Sequence, residues 1–226
     1  MTAALTVISS MATRKLLGEL IDKLAGAPVT VESVGGVDAA RRVAAGEVFD
    51  AVVLGADAID RLIADGQVRA GSRVDLVRSG VALAVKAGAP RPDIGSAQAV
   101  RAAVLAARTV GCSTGPSGVA LARLFEHWGI AEQVQARLVV PPPGTPVGAL
   151  IARGEVELGF QQLSELMFLP GIDVLGPLPE PIQITTVFAG GVPTASRQPQ
   201  AAQALLERLA APDLTAIKRA NGMDSA

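Results

Sequence analysis

The segment Val29–Gly55, VTVESVGGVDAARRVAAGEVFDAVVLG, is echoed further along the chain by Ala136–Leu163, ARLVVPPPGTPVGALIARGEVELGFQQL. Each copy reads as a strand, a glycine-bearing loop, a short helix, the pattern A-x-G-E-V and a second strand. The pattern falls on Ala44, Gly46, Glu47 and Val48 in one copy and on Ala152, Gly154, Glu155 and Val156 in the other. Upstream of each copy a further strand passes through a hydroxyl-bearing loop into a helix: ISSMATRKLL (Ile8–Leu17) and GCSTGPSGVALARLF (Gly111–Phe125). A repeat of this order predicts two quasi-equivalent α/β lobes.

The remaining apolar patterning fits the same alternation. Strands are expected over Leu5–Ile8, Val29–Val34, Phe49–Leu54, Val81–Val85, Thr109–Cys112, Ala136–Val140, Val156–Phe160, Ile172–Leu175 and Ile182–Phe188. Helices are expected over Lys15–Ala25, Ala39–Ala45 with Asp38 as N-cap, Ala56–Asp65, Ala97–Ala107, Val119–Trp128, Val147–Arg153, Gln198–Ala210 and Asp213–Ala220. The fold class is α/β, with mixed, mostly parallel sheets flanked by helices.

Of the 226 residues, 50% are hydrophobic and 18% charged, which excludes an intrinsically disordered chain. Lys and Arg number 20 against 21 Asp and Glu, a net charge of −1, and aromatics are 3% with no Tyr. This composition lacks both the basic surface and the stacking rings of a nucleic-acid binder. The single cysteine forbids an intramolecular disulfide, and one Cys with one His argues against a metal centre; no cofactor is called for. No apolar run reaches the roughly 18–20 residues of a membrane span. MTAALTVISS shows neither a basic leader nor a cleavage box, so a cytoplasmic location is expected, or a periplasmic one if the chain is a processed form.

Strands that end in Ser-, Thr- or Gly-rich loops opening helices point to anion binding. Ligands of α/β sheets sit outside the carboxyl ends of strands. Helix N-termini there offer unsatisfied N–H groups and the positive end of the helix dipole. Four loops qualify: Ser9–Thr13, Gly35–Asp38, Ser113–Gly118 and Pro143–Val147. If the lobes face each other, the loops converge on one cleft. The candidate ligand-binding residues are Ser9, Ser10, Thr13, Arg14, Gly35, Gly36, Arg78, Ser79, Ser113, Thr114, Ser117, Gly118, Gln161 and Gln162. The two glutamines close the strand LGFQQ, where apolar residues are the default, and Arg14 or Arg78 would suit bidentate pairing with a carboxylate. His127 follows Ser117 by ten residues, roughly 15 Å along a helix, and reads as structural. Cys112 reads as a small buried residue.

The blocks LTVISSMATRKLLGELIDKLA, VESVGGVDAARRVAAGEVFDAVVLGADAIDRLIADGQV, TVGCSTGPSGVALARLFEHWGI and VGALIARGEVELGFQQLSEL resemble, in order and spacing, the type II periplasmic-binding-protein fold. Within it they resemble the molybdate-binding-protein-like family. The resemblance covers nearly the whole chain. It implies residues 1–80 plus 186–226 as the first lobe, 81–185 as the second, and a ligand cleft between them. Hinge strands would lie near Gly80–Ala82 and Thr185–Val187, with the C-terminal helices returning to the first lobe. In the family, serines of the first two loops and a tyrosine hold a tetrahedral oxyanion. Here Ala12 stands where a serine is expected, the second loop reads Val34-Gly35-Gly36-Val37, and the tyrosine position falls near Gln161-Gln162. These departures favour an organic carboxylate over molybdate. The family also includes a cofactor-independent isomerase of trans- and cis-aconitate, which implies allylic proton transfer as an alternative to binding alone. That chemistry needs a base, for which Glu165, Asp38 and Glu32 are the nearest carboxylates in sequence.

Overall fold

The structure is a computed structural model and describes residues 4–24, 26, 28–142 and 144–226. Ala25, the expected end of the first helix, and Pro143, the first residue of the fourth loop, lie outside the described residues. The chain divides into two compact units, Met1–Ser79 with Thr186–Ala226, and Gly80–Thr185.

In the first unit β1 (Leu5–Ser10) passes through a 3-10 turn (Met11–Thr13) into α1 (Arg14–Leu24). There follow β2 (Val29–Val34), α2 (Gly36–Ala44), β3 (Ala51–Gly55), α3 (Ala56–Ala64) and β4 (Val74–Lys86), which carries the chain into the second unit. That unit adds α4 (Ala97–Ala106), β5 (Val110–Cys112), α5 (Pro116–His127), α6 (Ala131–Gln135) and β6 (Leu138–Val139). It continues with α7 (Val147–Arg153), β7 (Leu158–Gln162), α8 (Leu163–Leu166) and β8 (Ile172–Pro177). The chain returns through β9 (Thr185–Gly191) to α9 (Pro199–Ala210), a 3-10 turn (Pro212–Leu214), α10 (Thr215–Ala220) and β10 (Asp224–Ser225).

The two sheets share one plan. In the first, β1 lies between β2 and β3, both parallel to it, and β9 pairs antiparallel with β3. In the second, β5 lies between β6 and β7, both parallel to it, and the second half of β4 pairs antiparallel with β7. Period-two alternation divides the apolar residues between two faces of each sheet. Val7, Ala51 and Val53 pack against α1 and α9, while Ile8, Val52 and Leu54 pack against α2 and α3. In the second unit Val81, Leu83, Val110 and Phe160 meet α4 and α5, and Ala82 and Ala84 meet α7 and α8. The A-x-G-E-V pattern has the same task in both copies: Gly46 (φ 80°) and Gly154 (φ 79°) take the left-handed conformation that ends α2 and α7.

Several elements depart from the expected boundaries. The Ala136–Val140 strand shrinks to Leu138–Val139 behind the unforeseen α6. Val134 of α6 is buried, and the Arg137 guanidinium turns back onto the carbonyls of Leu105 and Ala107, removing Arg137 from the strand. Arg78, Ser79 and Gly80 do not precede the Val81 strand but lie inside β4, because β10 supplies the first half with a partner opposite Val77 and Arg78. The Gly35-Gly36 break is the start of α2: Gly35 is the N-cap, and Asp38, placed in the first turn, pairs with Arg41 instead of capping.

Asp50 ties the first unit together. One carboxylate oxygen accepts from Thr6 N (3.0 Å) and Thr6 Oγ (3.1 Å), and the other from Ser196 Oγ, Arg197 N and Gln198 N, each at 3.2 Å. Burial pushes its pKa up, but the donors led by Thr6 outweigh this and hold the carboxyl below its ordinary range. The linked stability is therefore present above the unfolded-state pKa and lost as pH falls through the folded one. Asp50→Asn is expected to cost about 2–3 kcal/mol at neutral pH, with the gap to the wild type narrowing below about pH 4. Urea unfolding at several pH values measures both.

Candidate functional site

Parallel pairing brings the carboxyl ends of β1, β2 and β3 to one edge of the first sheet. Ser9 and Ser10 end β1, and both are buried. Ser9 lies in register with Ser33 of β2, and their hydroxyls are 2.8 Å apart. Ser9 Oγ also reaches the Ser10 carbonyl (3.3 Å), which accepts from Thr13 Oγ at 3.1 Å. These bonds occupy Ser9 and Thr13 with folding the β1–α1 turn. Ser10 Oγ is buried and makes no hydrogen bond. It stands beside the start of α2: a Cβ built at Gly36 would lie 3.6 Å from Ser10 Cβ, an ordinary van der Waals contact. No side chain caps α2, which leaves its first N–H groups for another acceptor. Arg14 is exposed at the start of α1.

In the second unit the register of Cys112 opposite Phe160 sets the loop after β5 beside the end of β7. Ser113 Oγ lies 3.2 Å from the buried Ser117 Oγ in the first turn of α5. Gly115 is the N-cap of α5 and Pro116 follows it, so no side chain closes this helix start either. Gly118 is needed for close approach: a Cβ there would overlap the Ser113 carbonyl oxygen. Thr114 points into solvent. Cys112 is buried, and burial pushes its thiol pKa up, so it is not a poised nucleophile. His127 ends α5, at the opposite end from Ser117.

The end of β7 is the most polar part of this edge. Gln161 and Gln162 are both buried. Gln161 Oε1 accepts from Gly148 N (3.3 Å) and its Nε2 donates to Glu165 Oε1 (2.9 Å). Burial pushes the Glu165 carboxyl up to about 7, the Gln161 bond opposing this only in part. The other two carboxylates singled out in the sequence are ordinary surface groups: Glu32 pairs with Arg42 and Asp38 with Arg41. Sequence reasoning missed Ser33, whose signal was its register opposite Ser9. It also missed the helical turn α8 that folds Glu165 back over Gln161.

The two β4 candidates lie apart from these loops in the chain. Arg78 is exposed and its guanidinium donates to the Ser225 carbonyl (3.3 Å). Ser79 is buried and its hydroxyl has no hydrogen-bond partner. Among the described residues no cluster of three or more His, Cys, Asp or Glu could hold a metal, and no helix is long and apolar enough to cross a membrane.

Helix-flanked, mostly parallel sheets with uncapped helix starts at their strand ends define a solute-binding architecture. Residues 5–224 match the bacterial extracellular solute-binding protein family, and the chain belongs to that family. It is 40% identical over 220 residues to an aconitate isomerase from a Pseudomonas species, covering 92% of this chain and 83% of that protein. The fold is similar to the periplasmic molybdate-binding protein of Azotobacter vinelandii, with TM-score 0.79, 18% identity and coverage of 97% and 98%. It is also similar to the sulfate-binding protein SubI of Mycobacterium tuberculosis, with TM-score 0.77, 16% identity and coverage of 98% and 86%. These findings bear out the expected type II periplasmic-binding-protein-like fold. They overturn the expected cytoplasmic location: an extracellular family and periplasmic structural relatives favour the periplasm.

Two substitutions test the local geometry. Ser10→Ala removes a buried hydroxyl without a partner, so thermal unfolding should show unchanged or slightly higher stability, by up to about 1 kcal/mol. Gly118→Ala should destabilise by about 1–3 kcal/mol, because the new methyl can be accommodated only by moving the Ser113 backbone.

Proposed function

We propose that the protein binds an unsaturated polycarboxylate and isomerises it by allylic proton transfer, without a metal or cofactor, in the manner of aconitate isomerase. The observation that carries this reading is the 40% identity to that enzyme along 92% of the chain. The loops support it chemically. Each unit by itself offers groups that suit carboxylate oxygens, which accept and do not donate: the uncapped start of α2 with the Ser10 hydroxyl in the first, and the uncapped start of α5 with the Ser113 and Ser117 hydroxyls in the second. The chain has no Tyr, and glycines stand where a molybdate site of this family would carry serine, which favours the organic ligand.

In the reaction a C–H bond at the methylene carbon breaks and its electron pair forms a new double bond to the central carbon. The old double bond's pair moves to the former vinyl carbon, which takes up a proton. Atoms and electrons balance with no oxidant. The carbanion between the two steps spreads its charge onto carboxylate oxygens. Fixed N–H and O–H donors stabilise that charge better than they stabilise the starting acid, which is the catalytic contribution of such loops.

The family description favours one other reading, a receptor that binds an organic anion without changing it. Incubation of the purified protein with trans-aconitate, followed by NMR, separates the two. The expected outcome is appearance of the cis isomer at equal rate with and without a chelator. Calorimetric binding without turnover favours the receptor, and binding of molybdate or sulfate alone overturns the carboxylate ligand. Ser117→Ala should weaken trans-aconitate binding by about tenfold, as expected for one lost hydrogen bond to a charged group.

A further inference from the structure

Among the described residues Glu165 is a carboxyl folded over the end of β7 for which the structure shows no ion pair, its hydrogen bond coming from the neutral Gln161 amide. The elements packed against α8 include β7 and β8. β7 carries no charged residue, and the one charged residue of β8, Asp173, faces Gly88 N (3.1 Å) and Arg91 (3.9 Å). On α7 the only charged residue, Arg153, pairs with Glu155. The Gln161 amide is locked: its oxygen is taken by Gly148 N–H, so its NH2 end must face Glu165. One carboxylate oxygen is thereby held in place, and the other is left to act.

The two units share this corner of the backbone but not its side chains. Gly55 at the end of β3 and Gln162 at the end of β7 have the same backbone conformation (φ −55°, ψ 138° and φ −54°, ψ 135°), and each is the N-cap of the next helix. Counted from these caps, the first unit has Leu54 and Ala58 where the second has Gln161 and Glu165. A shared scaffold tolerates apolar residues at both positions. The polar pair is therefore not required for folding, and its place at the end of β7, next to the β5 strand end in the sheet register, calls for a chemical role.

We propose that Glu165 is the general base of the isomerisation. Its free carboxylate oxygen removes the methylene proton of the bound polycarboxylate, and the resulting carboxylic acid returns a proton to the former vinyl carbon. Gln161 is the positioning residue that holds the carboxyl and limits the rise of its pKa. This assignment rests on the isomerase reading. A carboxyl near pKa 7 is matched to both halves of such a cycle at neutral pH.

The test is steady-state turnover of trans-aconitate across pH 5 to 9 by the wild type, Glu165→Gln, Glu165→Asp and Gln161→Leu, with calorimetric affinity for the same compound. Wild-type kcat/KM should fall on the acid side of about pH 7. Glu165→Gln should lower kcat at least about 100-fold while affinity changes by less than about threefold, and Glu165→Asp should restore part of the rate. Gln161→Leu should move the acid limb to higher pH, since the lost hydrogen bond had been lowering the pKa. Unfolding provides a readout independent of activity. A carboxyl raised above its unfolded value loses stability as pH climbs from about 4.5 through 7, so the wild type should lose stability relative to Glu165→Gln across that window. A folded Glu165→Gln that keeps wild-type kcat overturns the base assignment and leaves the isomerase reading intact. A wild type that binds but never turns over overturns both.

Discussion

The constraint on which everything else depends is the parallel pairing of β1 with β2 and β3, and of β5 with β6 and β7. Parallel strands require crossover helices. Each crossover begins at a strand's carboxyl end, so the first N–H groups of successive helices gather along one edge of each sheet. An apolar chain with nearly balanced charge thereby acquires concentrated positive potential without spending lysines or arginines on it. Gly35, Gly115 and Gln162 occupy N-cap positions and none caps with its side chain; at α5, where Pro116 has no N–H and Gly118 N–H already bonds to the Gly115 carbonyl, the Ser117 N–H is the donor left over.

Alternation within the strands makes that edge rigid. The apolar residues of β1 and β3 are divided between helices on the two faces of their sheet, and those of β5 and β7 pack against α4 and α5, with Gly111 and Gly159 leaving room for Val147 and Ile151 of α7 on the other face. A strand held from both sides has little freedom to slip, and Ser9, Ser10, Gln161 and Gln162 inherit its position. The pinning continues at the opposite end of the first sheet. There Asp50 gathers donors from β1 and from the turn before α9; at the far end of α9 the buried Lys218 donates to the carbonyls of Leu76 and Ala210.

The α/β class and the duplicated plan were legible in the sequence because Val29–Gly55 and Ala136–Leu163 repeat a whole structural unit, down to the glycine that ends the helix. Local propensity was a poorer guide where tertiary contacts decide. Arg78-Ser79-Gly80 looks like a loop but is strand because β10 arrives from the far end of the chain. Ala136 and Arg137 look like strand, but Arg137 is drawn off to cap carbonyls. At the candidate site, the strand-end hydroxyls and glutamines could be named from their type alone, as polar residues closing apolar runs. Ser33 could not, because its meaning lies in cross-strand register. Nor could the environment of Glu165, because four residues of α8 had to fold before its carboxyl left water.

The order in which the units occupy the chain bears on biosynthesis. Residues 80–185 are contiguous, whereas the first unit is interrupted and receives β9, α9 and α10 only afterwards. On the ribosome the second unit has its full set of strands while the first still lacks the antiparallel partner of β3 and one of its two helical covers. The earlier-made half must therefore wait, with the apolar face formed by Val7, Ala51 and Val53 short of the Leu206 and Leu209 side chains that complete its core. Nascent chains stalled before Thr185 should expose that face to chaperones.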